Sequence, residues 1–246
     1  MAIVSPGGEH SVEPTLTRID EAGGRLAATA AALSEESLRE PSLLPGWTRA
    51  HVLAHLVGNA DGLRNLLIWA QTGVRTPQYA SSAERDSQIE ERSTLPRDEL
   101  IAEIARSAAA FRDTARDLPD GAWTAEVRGL NGPPHPAWFT LRRRLAEIEI
   151  HHVDLDAGYG PADWPPEFID EMLYQVAGRL AGDPHAPAAI ATDSGTGRQF
   201  LLAPDRPAEL VITGPGHALL AWLLGRGGGD GLAADPPGPL PPVPAY

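Results

Sequence analysis

Eight histidines occur among the 246 residues, and four of them fall in two close pairs, His51 with His55 and His151 with His152. Imidazoles beside carboxylates can transfer protons or hold a divalent cation. With no cysteine in the chain, any metal must be held by His, Asp or Glu. Glu147 and His151 are four residues apart, about 40° of rotation on an α-helix, so both side chains can reach one ion. Glu149 and His152, three apart, form a rival pair. Periodicity helps to separate them. Leu141, Leu145, Ile148, His152 and Leu155 make an apolar stripe in which His152 reads as a core or cap residue, whereas Thr140, Arg144, Glu147, His151 and Asp154 make a polar one. Such a polar stripe is equally the pattern of a solvated helix face.

On the other pair, His51 stands third after Thr48, a position at which polar side chains close helix starts, and it reads as local structure. His55 lies deeper, with Val52, Asn59 and Leu66 at helical spacing, where a histidine can also be an ordinary core residue. Two His and one Glu match a three-ligand catalytic zinc set that leaves a fourth position for water or substrate. Asp154, three residues after His151, is spaced to orient that imidazole as an acceptor. Asn59, one turn after His55, is a second candidate for such support, and both also suit plain solvation. Arg142-Arg143-Arg144 reads as a solvated charge run.

The elements that must position these residues are mostly helices. Helical patterns cover about 14–38, a segment capped by Thr48 and continuing past Leu67, 97–118 and 138–157, with a short helix near 84–92. Four long helices predict a four-helix bundle. After about residue 160 the texture changes to a helix at 167–180, short apolar runs at 188–192, 199–202 and 208–213 that read as strands, a helix at 215–224, and an extended Pro-rich tail. The expected division is 1–162 for the bundle and 163–246 for a small α/β domain, giving an α plus α/β fold class.

Composition excludes other classes. A net charge of −13 repels nucleic acid and anionic lipid. No apolar run approaches the roughly 20 residues that cross a bilayer, and the N-terminus lacks a basic segment, so a cytoplasmic protein with no membrane partner is expected. The absence of cysteine excludes disulfides and a cysteine nucleophile, so thiol chemistry would borrow its sulfur from a small molecule. GxSxG, GxxxxGK[ST] and HExxH motifs are absent.

The segments LPGWTRAHVLAHL from Leu44, VGNADGLRNLL after it, and RLAEIEIHHVDLDAGYGPADWP from Arg144 resemble the mycothiol-dependent maleylpyruvate isomerase family of DinB-like metalloenzymes. The resemblance extends over essentially the whole chain. It implies a DinB-like four-helix bundle followed by a small α/β domain, with Zn2+ or another divalent metal held by His55, Glu147 and His151. It implies mycothiol as the thiol cofactor, a small-molecule substrate and a monomer or weak homo-oligomer. The implied reaction is the cis-trans isomerisation of maleylpyruvate to fumarylpyruvate in gentisate-type aromatic degradation. Arg226, within LLGRGGG, is similar to a family arginine that pairs with a substrate carboxylate, although the glycines around it also suit a helix end. Arg85, within SSAERDSQIEER, is similar to a second such arginine. The first motif is shared with mycothiol S-transferases, so conjugation of the thiol to an electrophile is the alternative activity. A bundle that only binds a ligand or partner is the non-catalytic one.

Overall fold

The computed structural model describes residues 12–244. Helix α1 (Val12–Ala32) buries Leu16, Ile19, Ala22, Leu26 and Ala30, spaced at intervals of three and four. The pattern predicted one helix as far as Leu38. The chain instead breaks at Leu33 and Ser34, because Ser34 is extended and its side chain accepts the Ser37 N–H at 3.1 Å, capping a separate helix α2 (Glu35–Arg39).

Helix α3 (Arg49–Thr72) is buried at every residue from Val52 to Ala60. A helix buried all round is a central one. It packs on α4 (Ser82–Ser93), α5 (Arg97–Arg116) and α6 (Phe139–Asp154), and α1 closes the bundle against α5 and α6. Gly73, at φ 70°, ends α3 with its N–H on the Trp69 carbonyl, a turn that suits glycine. Ahead of α6, strands β1 (Glu126–Arg128) and β2 (Pro134–Pro136) pair antiparallel, with Val127 opposite His135. Sequence patterning did not predict this ribbon, because three residues per strand carry too little alternation to read.

The chain divides into two compact units, the first ending at Gly158 and the second starting at Tyr159. The second begins with α7 (Pro166–Leu180), whose Pro166 occupies an early helical position that needs no N–H partner. Its sheet has the order β4 (Gln199–Leu201), β3 (Ala189–Asp193), β5 (Leu210–Gly214), β6 (Ala233–Asp235). β3 and β5 run parallel and the outer strands antiparallel. Helix α8 (Gly216–Leu223) packs on α7, β3 and β5, and contributes Leu219, Leu220 and Trp222 to the core. β6, just before the Pro-rich end, was not foreseen. The class is α plus α/β, and no helix among the described residues is long and apolar enough to cross a membrane.

Candidate metal centre

The start of α3 is fixed by local chemistry. Thr48 donates its N–H to His51 Nδ1 at 3.3 Å, and its hydroxyl lies 2.7 Å from the same nitrogen, so His51 closes the first turn. One turn later His55, only 5% exposed, points from α3 towards α6. Its Nε2 lies 2.9 Å from Glu147 Oε2, and His151 Nε2 lies 3.3 Å from that oxygen. One ligand atom from each residue falls within 4.8 Å of the others. The two imidazoles meet edge to face with centroids 4.6 Å apart, and the Trp47 ring stands 5.8 Å from His55. Asp154, 1% exposed, accepts the His151 Nδ1–H at 2.8 Å.

These residues fit a divalent cation. Donor atoms at about 2.0–2.2 Å from a tetrahedral ion stand about 3.3–3.6 Å from one another, close to the spacing found around Glu147. With its Nδ1 proton given to Asp154, His151 turns the Nε2 lone pair towards a carboxylate oxygen, and two facing lone pairs require a cation between them, a proton or a metal. Burial pushes the Glu147 carboxyl upward, but hydrogen bonds from His151 and His55 overcome it and hold the group well below the usual range. Burial pulls His151 down, while Asp154 and Glu147 more than restore its proton affinity and leave it raised. At His55 burial prevails over Glu147, so its proton affinity falls. The cluster therefore contains an ionised carboxylate and a neutral imidazole, the forms that bind metals.

The polar stripe of α6 is not a solvated face. Thr140 is 0% exposed and Arg144 3% exposed, and both lie inside the bundle. The Arg144 guanidinium donates to the Leu56 carbonyl at 2.9 Å and to Asn59 Oδ1 at 2.8 Å, tying the two ligand-bearing helices together. Burial lowers its pKa to about 10, so it stays charged at neutral pH. Asn59 thus meets this arginine rather than a ligand imidazole, which corrects its expected placement beside His55. The remaining arginines of the run also diverge, Arg142 lying over the Trp138 ring and Arg143 reaching Gln78. In the rival pair, Glu149 accepts from Arg25 at 2.6 Å and His152 Nε2 bonds the Thr29 hydroxyl at 2.8 Å, both on α1.

Arg85, near the start of α4, places its guanidinium 3.3 Å from His55 Nδ1 and 6.0 Å from the centre of the Trp47 ring. Arg226 belongs to the second unit. Gly225, at φ 70°, turns the chain after α8, the Arg226 N–H caps the Ala221 carbonyl at 2.8 Å, and its guanidinium donates to Leu224 O at 2.8 Å. Sequence reasoning missed Tyr79, which lies between α3 and α4. Burial, with Glu147 next, pushes its phenol up to about 12, so the O–H stays protonated. Arg144 was also missed, since a run of three arginines gives no sign of which one turns inward.

Residues 19–156 match the family model described as the mycothiol maleylpyruvate isomerase N-terminal domain, and residues 163–245 match the MDMPI C-terminal domain. Two solved structures are similar to the chain, a crystal structure of the mycothiol-dependent maleylpyruvate isomerase and one of its histidine-to-alanine mutant. Each is 29% identical, with a TM-score of 0.89 over 96% of this chain and 97% of the other. No curated protein matches significantly.

Proposed function

The chain belongs to the mycothiol maleylpyruvate isomerase family, and on that premise we propose that it is a metal-dependent cis-trans isomerase converting maleylpyruvate to fumarylpyruvate with mycothiol. The observation that carries this reading is the convergence of His55, Glu147 and His151, with Asp154 behind His151. These three would hold a divalent ion, and zinc suits two imidazoles and a carboxylate. The ion and mycothiol together would supply a nucleophilic sulfur, since coordination deprotonates a thiol of pKa about 8.5, and reversible addition of that sulfur makes the cis double bond a rotatable single bond.

The chain's own residues hold and orient. Asp154 keeps the His151 proton on Nδ1 and so keeps Nε2 open as a donor. His55 Nδ1 accepts from Arg85. With Nε2 serving as a ligand, Nδ1 would carry the ring proton and no longer accept from Arg85, whose guanidinium, paired on one side with Asp86 Oδ1 at 2.8 Å, would offer its other side to a substrate carboxylate. Trp47 stands beside both His55 and Arg85. The family resemblance is what offers Arg226 as an arginine for a substrate carboxylate, and if it has that role Arg226→Gln is expected to raise KM by about tenfold or more, as loss of a charged hydrogen bond of about 1.5–3 kcal/mol would. The test is turnover of maleylpyruvate with a catalytic amount of mycothiol. Many turnovers per thiol are expected. Stoichiometric loss of thiol to a stable conjugate would make the protein a transferase, and inactivity of the fully metallated protein would contradict both.

A further inference from the structure

Two glycines interrupt the buried interior of α3, Gly58 and Gly62, three and seven residues after His55. Each costs a helix about 1 kcal/mol relative to alanine, so the pair marks a surface that another part of the chain approaches closely. Gly62 lies within about 20° of His55 around the helix, and Gly58 about 60° from it. The approaching segment is Gln78–Tyr79. A Cβ on Gly62 would stand 2.7 Å from the Gln78 carbonyl oxygen and 3.3 Å from Tyr79 Cζ, and a Cβ on Gly58 would stand 3.2 Å from the Arg92 guanidinium and 3.9 Å from the Tyr79 hydroxyl.

Gln78 pins this segment. It is 6% exposed, and its side-chain oxygen accepts from the Leu130 N–H at 3.1 Å and from Arg143 at 3.4 Å. The Tyr79 ring is therefore held with its hydroxyl against Gly58, one turn from His55. Glu147 and the guanidinium groups of Arg85, Arg143 and Arg144 lie near enough to act on the phenol. Tyr79 is half-buried, and among the described residues its hydroxyl makes no hydrogen bond.

We propose that Tyr79 is a catalytic residue whose hydroxyl donates a hydrogen bond to the keto oxygen of the substrate's pyruvyl arm. The proposal rests on the isomerase reading and adds a residue to that site. Guanidinium forks suit carboxylates, which are charged throughout, whereas a single neutral donor suits an oxygen that gains charge only while the double bond is opened. The proton stays on the phenol, and no bond to Tyr79 forms or breaks.

Tyr79→Phe keeps the ring on the glycines and removes only the donor. Its kcat with maleylpyruvate is expected to fall about 10²-fold, with KM changed far less and with metal content and melting temperature as in the wild type. A second readout needs no turnover: oxamate, which carries a carboxylate beside a carbonyl, should bind the metal-loaded variant about tenfold more weakly. The proposal is overturned if kcat and the oxamate Kd both stay within twofold of wild type. It is also overturned if Tyr79→Phe loses metal or melts early, because Tyr79 would then be a structural residue. Absence of wild-type turnover alongside a tyrosine-dependent oxamate Kd would reject the isomerase reading while supporting the placement of Tyr79 at a keto acid.

Discussion

The two sides of α6 carry nearly the same chemistry and use it differently. Glu147 and His151 on one side, and Glu149 and His152 on the other, are each a carboxylate and an imidazole at helical spacing, and Glu149 and His152 are the more buried of the two pairs. What differs is the helix opposite. α3 offers His55, whose nitrogen converges on the same carboxylate oxygen as His151. α1 offers Arg25, which pairs with the Glu149 carboxylate, and Thr29, whose hydroxyl bonds His152 Nε2. Spacing along one helix makes a pair of ligands available, and the facing helix decides whether they become a centre or an interhelical lock.

The largest effect that can test this contrast is on the Glu147 side. Glu147→Gln removes the shared oxygen's charge, and we expect loss of stoichiometric metal and at least a 10³-fold fall in kcat/KM, more than 4 kcal/mol of transition-state stabilisation. Glu149→Gln should leave metal content and kcat/KM within a few-fold of wild type while lowering stability by about 1–2 kcal/mol, since Arg25 is 38% exposed and can turn to water. Plasma emission spectrometry and thermal melts measure both, and equal metal loss in the two variants would break the contrast.

Next is the residue behind the ligand. Asp154→Asn should weaken metal affinity about 10–100-fold in chelator competition, because the amide is an uncharged, weaker acceptor and can instead donate to Nδ1, so the His151 tautomer is no longer held. His152→Gln, one residue along, should leave that affinity unchanged. Smaller still, Asn59→Ala leaves the Arg144 guanidinium short of a buried partner, and a loss of about 1–3 kcal/mol in denaturant unfolding is expected.

The smallest effect is a pH dependence. In metal-free protein the folded His151 binds its proton more tightly than the unfolded imidazole, so its contribution to stability is present below the unfolded value of 6.5. That contribution is lost as pH rises from 6.5 through the raised folded pKa. The neutral imidazole binds metal, so metal affinity should increase over the same interval. Melting temperatures with and without metal should diverge as pH rises above 6.5, and parallel curves would show that the ion does not displace the His151 proton.

Whereas the addition of His55 to the pair Glu147 and His151 was implied by the family resemblance and not by spacing, the long helices, and that pair on one face, were legible because helical periodicity reports which residues share a face. The break at Ser34 was not, since Leu33 and Leu38 continue the pattern across a serine that prefers to cap. Nor was the inward turn of Arg144, because burial of a guanidinium depends on acceptors supplied by another helix, here Leu56 O and Asn59. The placement of Tyr79 was written in the sequence only indirectly, as the Gly58 and Gly62 gap that accepts it.

X-ray absorption at the zinc edge of protein loaded with one equivalent of Zn2+ tests the central claim most directly. The account predicts a shell of nitrogen and oxygen at about 2.0–2.2 Å with the outer-ring scattering of two imidazoles, reduced to one imidazole in His55→Ala, and a sulfur at about 2.3 Å once mycothiol is added. A wild-type spectrum without imidazole scattering, or one that His55→Ala leaves unchanged, would contradict it.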